Sequence, residues 1–149
     1  MARIFPIIRS PELRIAVFGF LAAFLWEMWQ MPFYSTEGMT YIQMVRGCTI
    51  ASLGDAGIMV CAYWITAKVS KNRFWLNAPT IKSMTTYLVT GEIVTIAIEH
   101  IALDVPFGWR YAESMPVIPV IEIGALPFFM WIIVPSIALA LARWGYRHV

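Results

Sequence analysis

Four apolar segments, each long enough to cross a lipid bilayer, dominate this sequence. They cover about residues 13–33, 47–67, 83–103 and 117–142. About 20 helical residues cross the hydrocarbon core of a bilayer, and inside it every backbone polar group must be paired within its own segment or barrel. The pattern therefore predicts an all-α integral membrane protein, an antiparallel four-helix transmembrane bundle forming one polytopic domain over residues 1–149.

Composition and charge support this class and exclude others. Hydrophobic residues make up 60% of the chain and charged residues 13%, against about 45–50% and 25% in soluble domains. The net charge of +2 is small and its basic residues are scattered, so nucleic-acid binding is not expected. Cys48 and Cys61 would lie about 20 Å apart on one helix, so no disulfide is expected. The chain has no CxxC pair, which argues against a thiol-redox membrane enzyme.

The basic residues predict an orientation. With four spans, nine of the eleven Lys and Arg residues fall on one side: Arg3, Arg9, Arg14, Lys68, Lys71, Arg73, Lys82, Arg143 and Arg147. Arg46 and Arg110 fall on the other side. Because cytoplasmic loops are enriched in Lys and Arg, we predict an N-in/C-in arrangement in a bacterial-type cytoplasmic (inner) membrane. No small-residue cleavage site follows the first apolar run, so we expect an uncleaved first helix.

Five acidic residues interrupt the apolar segments: Glu27, Asp55, Glu92, Glu99 and Glu122. An ionised side chain at the centre of a bilayer costs about 2.5–3.5 kcal/mol on insertion scales, so such residues usually mark a site or a pathway. In the predicted topology four of them lie within about 5–12 Å of the outer boundary, and Glu92 lies deeper. This shared depth predicts a carboxylate-rich site near the outer leaflet.

The third segment carries the predicted catalytic residues. Glu92, Thr95 and Glu99 share one polar helical face, which must point at protein or water and not at lipid. We predict that Glu92 and Glu99 form a proton-transfer pair and that the neighbouring His100 tunes Glu99. The alternative is a set of interhelical hydrogen bonds that only fix the packing of the helices.

Other residues are predicted to line the substrate-binding cavity. Glu27, Asp55 and Glu122 would form its acidic wall, and Arg110, one of two outer basic residues, would close it by pairing with an acid or an anionic ligand. The aromatic members are Trp26, Trp109 and Tyr111, although aromatic side chains at this depth also form ordinary interface belts. Pro127 and Pro135 are expected to bend the fourth helix.

Five acids with only one membrane histidine beside them, or with Arg110 as well, cannot all stay ionised in a low dielectric. Protonated acids would give a general acid beside a general base, suited to isomerase-, cyclase- or hydratase-like chemistry on a lipid or isoprenoid. A metal ion is the alternative, with iron or manganese favoured over zinc. No Glu-x-x-His motif is present, and the only other histidine is His148, so neither a bundle di-iron site nor a bis-histidine haem is expected. The cofactor, if any, is unknown.

Two other functions remain open at this stage. Small four-helix membrane proteins also serve as non-catalytic accessory subunits of larger complexes, and the small residues Gly47, Ala51, Gly54, Gly57 and Cys61 would suit a helix contact face. Transport would require an oligomer, because the chain has no inverted repeat. The expected partners are membrane lipids, a small apolar ligand or a larger membrane complex, with homo-oligomers possible.

Overall fold

The computed structural model describes residues 10–106 and 108–147, so the sequence-based statements about Arg3, Arg9 and His148 fall outside the described residues. Four helices form the protein: α1 (Pro11–Gln30), α2 (Tyr41–Ser70), α3 (Ile81–Asp104) and α4 (Ala125–Arg147). A short 3-10 turn, Met31–Phe33, extends α1, and another, Trp75–Asn77, lies between α2 and α3. All four helices are long and apolar enough to cross a membrane, which confirms that part of the prediction.

Side-chain caps fix where the first three helices begin. Ser10 accepts a hydrogen bond from the backbone of Leu13, and Pro11 occupies the first helical turn, where its missing N–H costs nothing. Thr40 and Gln43 form a capping box at the start of α2, and Thr80 and Ser83 do the same for α3. The capping box of Thr40 and Gln43 explains why α2 begins at Tyr41, before the apolar segment 47–67 from which the helix was predicted.

The fourth helix differs from the prediction. It begins at Ala125, and the preceding residues form a small antiparallel hairpin of β1 (Val117–Ile118) and β2 (Ile123–Gly124). Pro116 and Pro119 disfavour a helix here. The valines and isoleucines between Pro116 and Ala125 are β-branched and favour extended backbone. Pro127 consequently lies in the first turn of α4, where proline is tolerated, and Pro135 is the proline inside the helix.

The helices pack in a ring in chain order, with α1 against α2 and α4, and α3 against α2 and α4. The interior is filled by small and aromatic side chains, among them Ala62, Tyr63, Trp75, Tyr87 and Trp131. The outer surface is apolar, with exposed Leu21, Leu25, Leu53, Ile93, Ile133 and Leu141. Large apolar residues facing outward suit a lipid environment.

The end of the bundle that carries the α2–α3 connection is closed by polar links. Tyr63 donates to the backbone carbonyl of Arg73, and Trp75 donates through Nε1 to the carbonyl of Tyr63. Arg73 also forms a salt bridge of 3.2 Å with Glu12 at the start of α1. These contacts tie the connection to the helices at this end of the bundle.

Candidate ligand-binding pocket

A pocket of about 450 Å³ opens at the other end of the bundle, where α1 and α3 end and α2 and α4 begin. All four helices contribute to it, through residues such as Gln30, Asp55, Thr95 and Met130. Because these helix ends meet at one place, successive helices run antiparallel. A volume of this size is within the range of sites that hold small molecules.

Three of the predicted acids line this pocket together: Glu27 from α1, Asp55 from α2 and Glu99 from α3. All three carboxyl-bearing side chains border the same cavity. Each comes from a different helix, so their meeting is a property of the tertiary packing. The rest of the wall is largely apolar and includes Ile58 and Trp131.

Glu99 is the most firmly held of the three. Its side chain is buried, and its Oε2 accepts hydrogen bonds from Trp109 Nε1 at 3.1 Å and from the Tyr111 hydroxyl. The Tyr111 oxygen in turn accepts a hydrogen bond from the backbone N–H of Gly124 at 2.9 Å. The hairpin before α4 is therefore connected through one phenol to an acid on α3.

Glu27 is held by a second set of polar contacts, all on α1. The side-chain amide of Gln30 donates to Glu27 Oε1 at 2.9 Å, and the amide oxygen of Gln30 accepts from Trp26 Nε1 at 2.9 Å. Gln30 is almost completely buried, with 2% of its surface exposed. Trp26 therefore orients Gln30, which lines the pocket, but Trp26 does not line the pocket itself.

Asp55 differs from both glutamates because no side chain or backbone group in the described part of the chain donates a hydrogen bond to its carboxyl group. It lies on the pocket-facing side of α2, beside the glycine and alanine positions 47, 51 and 54 that also line the cavity. The glycines leave that part of the wall without side chains. Asp55 is thus the acid most available to a bound molecule.

The structure separates the other two predicted catalytic residues from the pocket. Glu92 is on α3 but does not line the cavity, and its Oε1 is buried without a hydrogen-bond partner among the described residues. His100 is exposed, and its Nδ1 lies 2.8 Å from the Ile96 carbonyl of the same helix. Because that carbonyl can only accept, Nδ1 carries the proton. No hydrogen bond joins His100 to Glu99 among the described residues.

Glu122 and Arg110 also lie away from the predicted positions. Glu122 is exposed in the turn of the hairpin with a φ of 53°, so the expectation that it projects from inside the fourth helix is wrong. Arg110 is exposed and donates to the backbone carbonyls of Leu103 and Trp109. Within the described ranges it forms no salt bridge with any acid, so it does not close the pocket in the predicted way.

Gln30 and Tyr34 are among the pocket residues that the sequence analysis missed. Gln30 follows Glu27 by three positions and Trp26 by four, a spacing that places all three on one helical face, so its role could have been inferred. Tyr34 lies beyond the end of α1, where helical periodicity gives no information. It reaches the pocket because its backbone pairs with that of Tyr111 in an isolated antiparallel bridge.

Burial should keep Tyr34 a neutral phenol beyond the pH at which an exposed tyrosine ionises. Burial raises its pKa far above the usual value, and the negative charges of Glu99 and Glu27 act in the same direction. In the unfolded chain the phenol ionises near pH 10. Above that pH the unfolded state holds fewer protons than the folded state, so the free energy of unfolding should fall as pH rises.

This alkaline loss can be measured by denaturant unfolding in detergent between neutral pH and pH values above about 10. The Tyr34→Phe variant should lose less stability over that interval than the unmodified protein, while the two should match near neutrality. Parallel pH curves for the two proteins would show that Tyr34 is not the group responsible.

The described residues contain no group of three or more His, Cys, Asp or Glu side chains that could hold a metal ion. The three pocket acids thus share one cavity but are not arranged as a metal centre. No protein-family model matches this chain, and no similar curated protein or solved structure was found.

Proposed function

We propose that this protein binds an apolar or amphipathic small molecule in the pocket and performs acid–base chemistry on it. The observation that supports this is the convergence of three carboxyl groups from three helices on one cavity with largely apolar walls. Such a site suits isomerase-, cyclase- or hydratase-like conversion of a lipid or isoprenoid, in which one acid donates a proton and another accepts one.

The geometry changes which acids we propose for these roles. Glu99 has a fixed orientation because Trp109 and Tyr111 both donate to it, whereas Asp55 on the facing helix has no donor among the described residues. We therefore assign the proton-transfer roles to Asp55 and Glu99. Glu92, which lies outside the pocket lining, is not part of this proposal.

The proposed setting is a bacterial-type inner membrane with both termini in the cytoplasm. The supporting observation is the distribution of charge: Lys68, Lys71, Arg73 and Lys82 lie in or beside the α2–α3 connection, at the end opposite the pocket. Under the positive-inside tendency the pocket would then face the outer leaflet. A molecule dissolved in the membrane would have direct access to it.

Occupation of the pocket can be tested with two glycines on α2. Gly54 lines the pocket and Gly57 does not, yet both are exposed and a Cβ on either would meet no atom within 4 Å. Leucine improves helix propensity at both positions. Only Gly54→Leu should place a side chain in the cavity, at an overpacking cost of about 1–3 kcal/mol for a bound molecule.

The measurement is native mass spectrometry of each variant extracted gently from the membrane in which it is made. We expect the unmodified protein and Gly57→Leu to retain a stoichiometric small molecule, and Gly54→Leu to retain about tenfold less or lower. If all three proteins emerge without a small molecule, or if Gly54→Leu retains it fully, the proposal is wrong.

An accessory-subunit role is the second candidate, and one observation favours it. The face of α2 that carries Gly57 and Cys61 is exposed, and nothing within the described chain packs against Gly57. Small residues allow another helix to approach closely. In that case Gly57→Leu should release the protein from a larger complex on gentle extraction, while Asp55→Asn should leave the complex intact.

A further inference from the structure

The acidic side chains of the pocket have no basic residue beside them in the described lining. Its lining includes Glu27, Asp55 and Glu99 but no lysine, arginine or histidine within the described parts of the chain. Three basic residues adjoin lining residues in the sequence without lining the pocket themselves: Arg46, His100 and Arg110. All three are exposed, Arg110 donates to backbone carbonyls, and His100 is hydrogen-bonded to the carbonyl of Ile96. A cationic ligand would therefore supply a positive charge that the described lining lacks.

Two polar side chains of the lining, on the neighbouring helices α2 and α3, also lack partners. Asp55 on α2 receives no hydrogen bond from the described residues, although Glu27 and Glu99 both do. Thr95 on α3 lines the pocket and is only 7% exposed, yet its hydroxyl has no hydrogen-bond partner among the described residues. Leaving a buried polar group unpaired is unfavourable, and leaving a buried charge unpaired is more so. The pocket therefore offers an acceptor and a hydroxyl with unused hydrogen-bonding capacity.

The remaining walls suit an organic cation with an apolar body. Trp109, Trp131 and Tyr34 present aromatic rings to the cavity, and aromatic faces attract ammonium groups. The three acids do not form a group able to hold a metal ion, whereas a volume of about 450 Å³ leaves room for a larger head group and part of a hydrocarbon chain. The acids, the unpaired polar groups and the volume of the pocket therefore all favour an organic cation with an apolar body.

We infer that the pocket selects a protonated amine with an apolar body, whose N–H donates to Asp55 between the aromatic rings. The inference rests on the proposed function, because it names the class of molecule that this same pocket takes. It also fits acid–base chemistry through a carbocation, since an ammonium group carries the same charge as such an intermediate.

The test compares two probes of nearly equal shape that differ in charge. N,N-dimethylphenethylamine is protonated at neutral pH, and isopentylbenzene replaces its nitrogen by carbon. Binding to the purified protein in uncharged detergent would be followed by the fluorescence of the pocket tryptophans. We expect the amine to bind about tenfold more tightly or better, and Asp55→Asn to reduce that preference to within about twofold while leaving isopentylbenzene binding unchanged.

Glu92→Gln is the matched control, because it also removes a helix carboxyl group but one outside the pocket, and it should retain the preference for the amine. Equal binding of both probes to the unmodified protein would overturn the inference and leave the small-molecule site standing. A preference that survives in Asp55→Asn would also overturn it, by placing the cation elsewhere. Failure of both probes to bind would count against the proposed function itself. The comparison on the unmodified protein needs no variant, so a folding defect in Asp55→Asn cannot hide the result.

Discussion

Replacing Tyr111 by phenylalanine is expected to lower the free energy of unfolding by about 1–3 kcal/mol. The Tyr111 hydroxyl donates to the buried Glu99 and accepts from the Gly124 N–H, so one substitution removes two hydrogen bonds. The substitution leaves Glu99 with one hydrogen-bond donor fewer and the backbone N–H of Gly124 without its acceptor. The ring itself is kept, so the loss reports the hydroxyl alone.

Tyr34→Phe is the control for this change. The two rings lie edge to face with centroids 5.6 Å apart, and their backbones are paired, but no hydrogen bond from the Tyr34 hydroxyl to another described residue is present. Near neutral pH its removal should alter stability by about 0.5 kcal/mol or less. Thermal or denaturant unfolding of both variants in the same detergent measures the difference. Equal losses would mean that the Tyr111–Glu99 connection contributes nothing to stability.

A methyl group at Gly91 should be strongly disruptive, because it would meet the ring of Trp131, which lines the pocket. A Cβ built there would lie 2.2 and 2.3 Å from two atoms of the Trp131 ring, and Trp131 is only 1% exposed. The ring can move only toward the cavity or against neighbouring helices, so Gly91→Ala should cost about 1–3 kcal/mol. Its displacement should also change the fluorescence of the protein.

Gly57→Ala separates this steric effect from the effect of alanine on the helix. Gly57 is also inside a helix, but a Cβ there meets nothing within 4 Å. Alanine should stabilise that position by up to about 1 kcal/mol through its higher helix propensity. The two variants should therefore shift the unfolding transition in opposite directions, and a Gly91→Ala protein as stable as the unmodified one would contradict the packing described above.

The four helices could be predicted because each is an apolar run of the length that a bilayer requires, with cap residues that mark the starts of α1, α2 and α3. The hairpin before α4 could not. Its residues are as apolar as those of a helix, and hydropathy does not distinguish a β-branched run between prolines from a membrane span. Glu122 was misplaced for that reason, since the prediction relied on its position within a continuous helix.

The meeting of Glu27, Asp55 and Glu99 was only partly predictable. Their depth follows from the topology, but whether they point at one another depends on the rotation of each helix, which is fixed by contacts such as Gly91 with Trp131. Sequence spacing also grouped Glu92 with Glu99, although only Glu99 reaches the cavity. Tyr34 was unpredictable because its place depends on pairing with Tyr111, far along the chain.

The unequal lengths of the helices matter in a bilayer of finite thickness. Helix α2 has 30 residues and spans about 45 Å, compared with about 30 Å of hydrocarbon. The other helices, with 20 to 24 residues, match that thickness more closely. A helix that is too long tilts or extends beyond the hydrocarbon, so a thinner membrane would change the tilt of α2 more than that of its neighbours. Since α2 forms the glycine-rich wall of the pocket, the thickness of the surrounding membrane would help to set the width of the cavity.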